Sequence, residues 1–213
     1  MIEKDHPFFY VKSLFGKTAS VFYISKYIYT ADSLMDDREI IKVNGNDLTE
    51  DYINNLICSL EENQELALHS KVDVNKTVFH IPMIDFSCED EMTDLIFNRM
   101  RNFIPKEIMN NLALYNSGRS FHAYSTTLIK SKDWVEFMGR LLLINPKTDN
   151  EIIDGRWVGH RLMGGYCSLR WSNNTAQYVS EPKRIEYISK NIFFENNSTP
   201  SNKDLIDEQH DLL

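Results

Sequence analysis

Apolar positions recur along the chain with two different periods, and the two periods predict interleaved strands and helices. Runs of aromatic and β-branched residues predict strands, two of them joined near Gly16 within residues 7–31 and the others at residues 40–43, 78–86, 112–115, 120–128, 152–154, 166–172 and 177–179. Helical spacing predicts helices after Thr49, over residues 89–104, and from residue 133 to just before Pro146. Residues 61–76 are polar and predict a loop, whereas residues 155–165 follow neither period. Such interleaving implies an α+β or α/β domain built on a mixed sheet.

Turn and cap signals separate these elements. Asn44-Gly45 is typical of a tight turn. Thr49 is followed by two acids, which predicts a capped helix start. Pro82 interrupts the predicted strand 78–86 and indicates an edge or a bulge, because proline donates no ladder hydrogen bond.

Length and charge narrow the class of protein. The 213 residues are 42% hydrophobic and 25% charged, as in soluble globular domains, and allow one good core. We expect one domain over residues 1–194 and a flexible acidic tail over residues 195–213, which has one lysine against five acids. The net charge of -8 argues against non-specific coating of nucleic acid. The arginines and lysines after Ile153 make that segment locally basic and are compatible with a basic groove.

Cysteine usage and hydropathy indicate the compartment. Cys58, Cys88 and Cys167 are scattered, and no pair has the spacing of zinc ligands, so a reduced cytoplasm fits best. No secretory segment and no apolar run of membrane-spanning length occurs in the sequence, so we expect a cytoplasmic protein without a membrane partner.

One hexapeptide, residues 117–122, combines phosphate-binding residue types. Gly118 favours a turn, and Ser120 and His122 share one face of the strand that follows, since strand side chains alternate. A hydroxyl and an imidazole next to Arg119 suit an anionic ligand such as a phosphate. The alternative is a half-buried histidine on an ordinary strand, and His80 is likewise expected to face the polar surface of its strand.

Two aspartates end short apolar segments, Asp85 after Met83-Ile84 and Asp154 after Ile152-Ile153. Carboxylates brought together at a sheet edge repel each other unless a cation joins them, and oxygen ligands suit Mg²⁺ or Mn²⁺. Two such ions catalyse in-line nucleotidyl transfer. The alternatives are that Asp85 caps the helix predicted near residue 89 and that Asp154 is a turn aspartate before Gly155.

The order of these motifs resembles the archaeo-eukaryotic primase superfamily, and residues 134–172 resemble bacterial primase 1D-like proteins still more. The order is hydrophobic-Asp at Asp85, Ser-x-His at His122, hydrophobic-Asp at Asp154, and then Leu169-Arg170-Trp171-Ser172. The resemblance covers roughly residues 78–185. It implies an α+β fold with an RRM-like catalytic core, in which a mixed or antiparallel sheet is flanked by helices and an N-terminal unit, residues 1–76, packs on residues 77–194.

The resemblance also implies roles for individual residues. Asp85 and Asp154 would bind Mg²⁺ or Mn²⁺ and act in catalysis together with His122. The residues implied in nucleotide binding are Arg119, Ser120, His122, Arg170 and Ser172. Position 87, where the family has a second aspartate, holds Ser87.

The implied function is that of a primase-polymerase-like nucleotidyltransferase, which takes a ribo- or deoxyribonucleoside triphosphate and a divalent metal ion for primer synthesis or nucleotide addition in DNA replication or repair. Implied partners are single-stranded nucleic acid and a protein that supplies missing primase or helicase modules. The serine at position 87 motivates an alternative, a module that has lost catalysis and serves as a nucleotide- or nucleic-acid-binding scaffold.

Overall fold

The computed structural model of the protein describes residues 1–14, 19–30, 37–88, 92–147 and 150–185. The strands formed by these residues are β1 (Ser20–Ile28), β2 (Arg38–Asn44), β3 (Gln64–Val74), β4 (Thr77–His80), β5 (Met83–Asp85), β6 (Leu112–Asn116), β7 (Phe121–Ser125), β8 (Ile129–Lys130), β9 (Ser168–Arg170) and β10 (Lys183–Arg184). The α-helices are α1 (Pro7–Val11), α2 (Glu50–Cys58), α3 (Asp94–Phe103), α4 (Lys106–Asn110), α5 (Ser131–Ile144) and α6 (Gly155–Gly164). The predicted turn near Gly16 and the predicted tail lie outside the described residues.

Two sheets organise the fold. The first has the order β2-β1-β3-β4-β8, with β9 also paired to β3, and the second has the order β10-β6-β7-β5. Every pairing between the described strands is antiparallel. Antiparallel sheets flanked by helices confirm the predicted α+β class, with two sheets where the hydrophobic pattern alone indicated one mixed sheet.

The longest strand of the first sheet, β3, occupies most of the stretch that was predicted to be a loop. The prediction was wrong because polar residues interrupt the hydrophobic pattern there, notably Glu65, His69 and Ser70, all of which are buried. Burial of Glu65 and Ser70 is compatible with a strand because other groups bond them: Ser70 Oγ contacts His80 Nδ1 at 3.0 Å, and Glu65 accepts from Ser172 Oγ. The predicted boundary between residues 76 and 77 falls at the β3–β4 turn, and the division into two units stays a prediction.

Pro82 divides the predicted strand 78–86 between the two sheets. β4 pairs with β3 in the first sheet, and β5 pairs with β7 in the second. The Pro82 carbonyl accepts a hydrogen bond from Ser125 N at 3.0 Å, while the missing proline N–H is not needed at this switch point. The interruption predicted at Pro82 is therefore confirmed. It allows β5, and with it Asp85, to belong to the second sheet.

The remaining differences are local. Residues 7–11 form α1 instead of a strand, because His6 caps the helix by accepting a hydrogen bond from Phe8 N and Pro7 suits the first helical turn. Residues 155–164 form α6, whose start is capped by Asp154. Residues 152–154 contribute only the single bridge between Ile153 and Phe86, and residues 177–179 form no strand.

Helices cover the sheets as the apolar stripes predicted. α5 buries Trp134, Phe137 and Met138 and packs against α3 and α6. α3 begins after the cap residue Thr93, later than predicted, while residues 89–91 lie outside the described part of the chain. None of the helices in the described ranges has both the length and the apolar character that crossing a membrane requires.

Candidate functional site

A cleft of about 440 Å³ collects side chains from both sheets, from α6 and from the segment before β10. Its charged lining consists, among the described residues, of two acids and five arginines: Asp85, Asp154, Arg38, Arg119, Arg156, Arg161 and Arg170. His122 and Ser120 also line it. The cleft is thus locally basic on a protein whose net charge is -8, and all the predicted site residues except Ser172 meet in it.

Asp85 and His122 are cross-strand partners on β5 and β7. His122 Nε2 lies 3.5 Å from Asp85 Oδ1, and the two side chains are 8% and 22% exposed. Directly opposed residues of an antiparallel pair bring their side chains to the same face. The pairing therefore explains how motifs more than thirty residues apart in the chain reach one point.

Asp154 reaches the same point through the backbone. Its N–H donates to the carbonyl of Asp85 at 3.1 Å. Its Oδ1 accepts from Trp157 N at 2.8 Å and so caps α6. One carboxylate oxygen is used by the cap, which leaves the other for a ligand. α3 is capped by Thr93, so Asp85 does not serve as its cap.

Burial and charge set the protonation of this group of residues. Burial, together with the neighbouring Asp154 charge, raises the pKa of Asp85 to about 8, against the opposing effect of Arg170 and Arg161. Burial also lowers the pKa of His122 to about 3, with a further contribution from Arg170. At neutral pH the cleft therefore contains a protonated Asp85 and a neutral His122.

Among the buried polar atoms of the cleft, His122 Nδ1 and Arg170 Nε lack a hydrogen-bond partner within the described residues. The terminal nitrogens of Arg170 are already committed to the backbone carbonyls of Ser117, at 2.6 Å, of Ser180, at 3.0 Å, and of Ser172. Its guanidinium also lies 4.0 Å from the ring centroid of Tyr178. In a cleft, buried polar atoms without protein partners are available to water, an ion or a ligand.

The turn before β7 requires a glycine. Gly118 has φ of +113°, and its N–H donates to Asn116 Oδ1 at 2.8 Å. A Cβ there would lie 3.2 Å from Ser180 N and 3.3 Å from Val179 Cβ. The missing side chain lets residues 179 and 180 approach the turn that presents Arg119 and Ser120 to the cleft.

Ser172 lies away from the cleft lining. Its hydroxyl donates to Glu65 and accepts from Leu66 N at 2.8 Å. Glu65 also accepts from Asn174 N and Thr175 N, at 3.0 and 2.9 Å. These bonds hold the segment after β9 in place, so the hydroxyl of Ser172 is committed to the scaffold.

Sequence reasoning missed one side of the cleft altogether. Arg38 donates to Ser25 Oγ at 3.1 Å, and its guanidinium lies 4.1 Å from the ring centroid of Tyr27, with both Arg38 and Tyr27 lining the cleft. No motif marks these residues. Arg156 and Arg161 belong to the basic stretch after Ile153, but only the capped helix α6 turns them toward the site, where Arg161 is buried and donates to Ser168 Oγ at 3.0 Å.

The side chains of the cleft supply few ligands for a divalent metal ion. Within the described ranges no group of three or more histidine, cysteine, aspartate or glutamate side chains is arranged to hold a metal ion. Ser87 is exposed and lies outside the cleft lining. Two carboxylates are sufficient in number for one Mg²⁺ or Mn²⁺, because such ions are commonly held by one or two carboxylates plus substrate phosphates. The Asp154 charge that raises the pKa of Asp85 is the repulsion that a cation would offset.

Comparison with known proteins indicates the family to which the chain belongs. No curated protein and no solved structure shows a significant match to the chain. The family model described as archaeo-eukaryotic primase 1D-like matches residues 44–183, about two thirds of the chain, and so begins well before the roughly 78–185 expected from the motifs. The chain belongs to the archaeo-eukaryotic primase 1D-like family.

Proposed function

We propose that this protein binds a ribo- or deoxyribonucleoside triphosphate with Mg²⁺ or Mn²⁺ in the cleft and transfers the nucleotidyl group to a hydroxyl, either at the 3′ end of a strand or at the start of a primer. One observation carries the proposal: Asp85 and Asp154 are joined through their backbones at the floor of a cleft that five arginines line. Membership of a primase-like family supports the same reaction class.

The arginines suit the triphosphate. A nucleoside triphosphate carries three to four negative charges, and guanidinium groups bind phosphate oxygens through paired N–H donors. Arg119 is exposed on the turn beside Ser120, where it is able to move toward a ligand. Arg170 is held in place by backbone carbonyls, which leaves the N–H of Nε and the second N–H of Nη1 to donate.

Asp85 and Asp154 would hold the divalent ion. When bound, that ion supplies activation of the attacking hydroxyl and neutralisation of triphosphate charge. Asp85 must lose its proton first, because its pKa of about 8 keeps it protonated at neutral pH. His122, neutral and with Nδ1 unpartnered among the described residues, is placed to hydrogen-bond the nucleotide.

Incorporation of labelled nucleotide tests the proposal. Purified protein with template, labelled NTP or dNTP and Mn²⁺ is expected to yield extended product. The Asp154→Asn variant removes the charge but keeps a good N-cap for α6, so it should fold normally and lose the product. Asp154→Ala should lose the product and also about 1 kcal/mol of stability. Full product from Asp154→Asn would refute the catalytic assignment.

A second candidate follows from the small number of carboxylates. Ser87 stands where a further acid is expected and lies outside the cleft lining, so Asp85 and Asp154 are the acids that line the cleft within the described ranges. We propose as the alternative a nucleotide- or nucleic-acid-binding subunit without turnover. Calorimetry with nucleotide and Mn²⁺ separates the two functions, since tight binding with no incorporation under any template condition favours the subunit.

The partners proposed are single-stranded nucleic acid as template and a protein that brings the helicase or further primase modules. A basic cleft on a protein of net charge -8 favours local contact with a strand over broad coating. Retention of the purified protein on single-stranded DNA or RNA at low salt, lost as salt rises, would support the template proposal.

A further inference from the structure

One wall of the cleft is apolar and open to solvent. Ile28, Tyr29 and Val179 line the cleft and keep 58, 48 and 67% of their surface exposed. We call these three residues, together with Tyr178, the apolar rim. Exposed apolar side chains also occur elsewhere among the described residues, but several that line one cleft together mark a place where a ligand is bound.

The rim is structurally supported. The rings of Tyr29 and Tyr178 meet edge to face, with centroids 6.0 Å apart and an interplanar angle of 62°. The Arg170 guanidinium lies 4.0 Å from the centroid of the Tyr178 ring, and the hydroxyls of Tyr27 and Tyr178 are 3.5 Å apart. Tyr178 is therefore fixed from three sides, while about half of Tyr29 remains free to contact a ligand.

The rim adjoins the basic part of the cleft. Val179 packs against the turn at Gly118, and the next residue of that turn is Arg119. Arg170 contacts both parts, since it holds the carbonyl of Ser117 in the turn and lies against Tyr178 of the rim. A ligand that fits both surfaces has a flat apolar end and a polyanionic end.

We propose that the apolar rim binds the nucleobase of the nucleoside triphosphate, with Tyr29 as the ring on which the base stacks. This inference rests on the proposed function, because it assigns the base of the ligand whose phosphates the arginines receive. The cleft volume of about 440 Å³ lies within the range of small-molecule sites. Stacking on tyrosine tolerates any base, so the rim predicts binding of all four nucleotides.

Inorganic tripolyphosphate provides the test, because it has the phosphates and lacks the base. Calorimetry in the presence of Mn²⁺ compares its affinity with that of ATP for the wild-type protein and for Tyr29→Ala. We expect wild type to bind ATP more tightly than tripolyphosphate. Tyr29→Ala should bind ATP about ten-fold more weakly and tripolyphosphate equally well, since base stacking on an aromatic side chain contributes about that much.

Matched control variants distinguish loss of the base contact from loss of the folded structure. Tyr29→Phe keeps the ring and should retain the affinity for ATP. Leu95→Ala removes an apolar side chain on α3 that is more exposed than Tyr29 and lies outside the cleft lining, and it should change the affinity for neither ligand. Val179→Ser tests the rim a second time without touching an aromatic residue, and thermal melting checks that each variant is folded.

The outcomes separate this inference from the proposed function. If wild type binds neither ATP nor tripolyphosphate, the proposed function fails and the rim assignment with it. If wild type binds both equally, or Tyr29→Ala binds ATP as wild type does, the rim assignment alone is overturned. A parallel loss of both ligands in Tyr29→Ala overturns it as well. So does weakened binding of a single-stranded oligonucleotide with ATP affinity unchanged, because the rim would then serve the strand.

Discussion

Two buried polar clusters of this protein differ in how completely their hydrogen bonds are satisfied. In the first, which we call the Glu65 cluster, the carboxylate of Glu65 accepts from Ser172 Oγ, Asn174 N and Thr175 N. In the second, the cleft floor of Asp85, His122, Asp154 and Arg170, a histidine nitrogen and an arginine nitrogen have no partner among the described residues. The carboxylate of the first cluster has its donors within the fold, whereas the second cluster leaves buried polar atoms that a ligand could bind.

Two of the buried histidines, His80 and His122, repeat the contrast. His80 lies on β4, contacts Ser70 Oγ through Nδ1 at 3.0 Å and stacks on Trp134 at 4.6 Å. His122 lies on β7 with Nδ1 unsatisfied within the described ranges. Burial lowers the pKa of both, to about 4 and about 3. Burial and pKa alone therefore do not distinguish these two histidines, whereas the hydrogen bonding of Nδ1 does.

The largest expected effects come from two isosteric substitutions that change the free energy of unfolding in opposite directions. Glu65→Gln points an amide N–H₂ toward groups that already donate, and we expect it to lower the free energy of unfolding by about 3 kcal/mol. Asp85→Asn removes a carboxylate that burial and Asp154 disfavour, and at pH 9 we expect it to raise the free energy of unfolding by about 2 kcal/mol. Urea denaturation of both variants measures the difference.

The sign of the Asp85 effect depends on pH. Because the folded-state pKa of about 8 exceeds the ordinary value of 3.8, the folded protein binds more protons than the unfolded chain between these values, and stability falls as pH rises from about 4 through 8. Asp85→Asn should remove that slope and keep stability nearly flat. Equal destabilisation by Asp85→Asn and Glu65→Gln would contradict the distinction between the two clusters.

The histidines provide the next largest effect. His80→Ala breaks the contact with Ser70 and the stack on Trp134, and we expect a loss of about 3 kcal/mol in the free energy of unfolding. His122→Ala should cost about 1 kcal/mol less than that, because one ring nitrogen has no partner to lose. Nucleotide affinity should follow the reverse order. Unchanged nucleotide affinity in a folded His122→Ala variant would remove His122 from the site.

A smaller effect is the pH dependence of cation binding. Since Asp85 is protonated below its pKa of about 8, Mn²⁺ must displace a proton, and the apparent affinity should fall about ten-fold for each pH unit below 8. Calorimetry at pH 7 in buffers of different ionisation enthalpy should report close to one proton released per ion. Asp85→Asn should release none, and equal proton release by this variant would assign the proton to another group.

The smallest effect concerns the exposed arginine on the turn. Arg119→Ala should weaken nucleoside triphosphate binding about three-fold, with a loss that shrinks as salt is added, because exposed charge pairs contribute less than about 1 kcal/mol. Arg101→Ala is the matched control, since Arg101 is exposed on α3 and lies outside the cleft lining. A salt-independent loss, or an equal loss in both variants, would argue against a phosphate contact.

Much of the fold follows from local patterns. The stripe of α5, the cap at Thr49 and the break at Pro82 each leave a local signal, and each is present in the structure. The strand β3 left no such signal, because its buried Glu65 and Ser70 bond to groups about a hundred and about ten positions away. Helix α6 was missed because its glycines weaken the helical pattern and its start depends on the Asp154 cap.

The candidate site likewise has residues that the sequence predicted and residues that only the fold reveals. Asp85, His122 and Asp154 were predicted from the order of their motifs, and the structure places them together. Tyr27 and Arg38 lie near the other end of the sequence, with no motif around them, and only the pairing of β1 and β2 brings them to the cleft. Ser172 is the opposite case. The motif predicted that it binds the nucleotide, but in the structure its hydroxyl donates to Glu65.

A crystal soaked with Mn²⁺ and a nucleoside triphosphate tests the central claim most directly. Anomalous scattering should place one Mn²⁺ about 2.2 Å from a carboxylate oxygen of both Asp85 and Asp154, with the triphosphate extending toward Arg119 and Arg170. Manganese bound elsewhere with the nucleotide, or no manganese density at the aspartate pair at saturating concentration, would contradict the account.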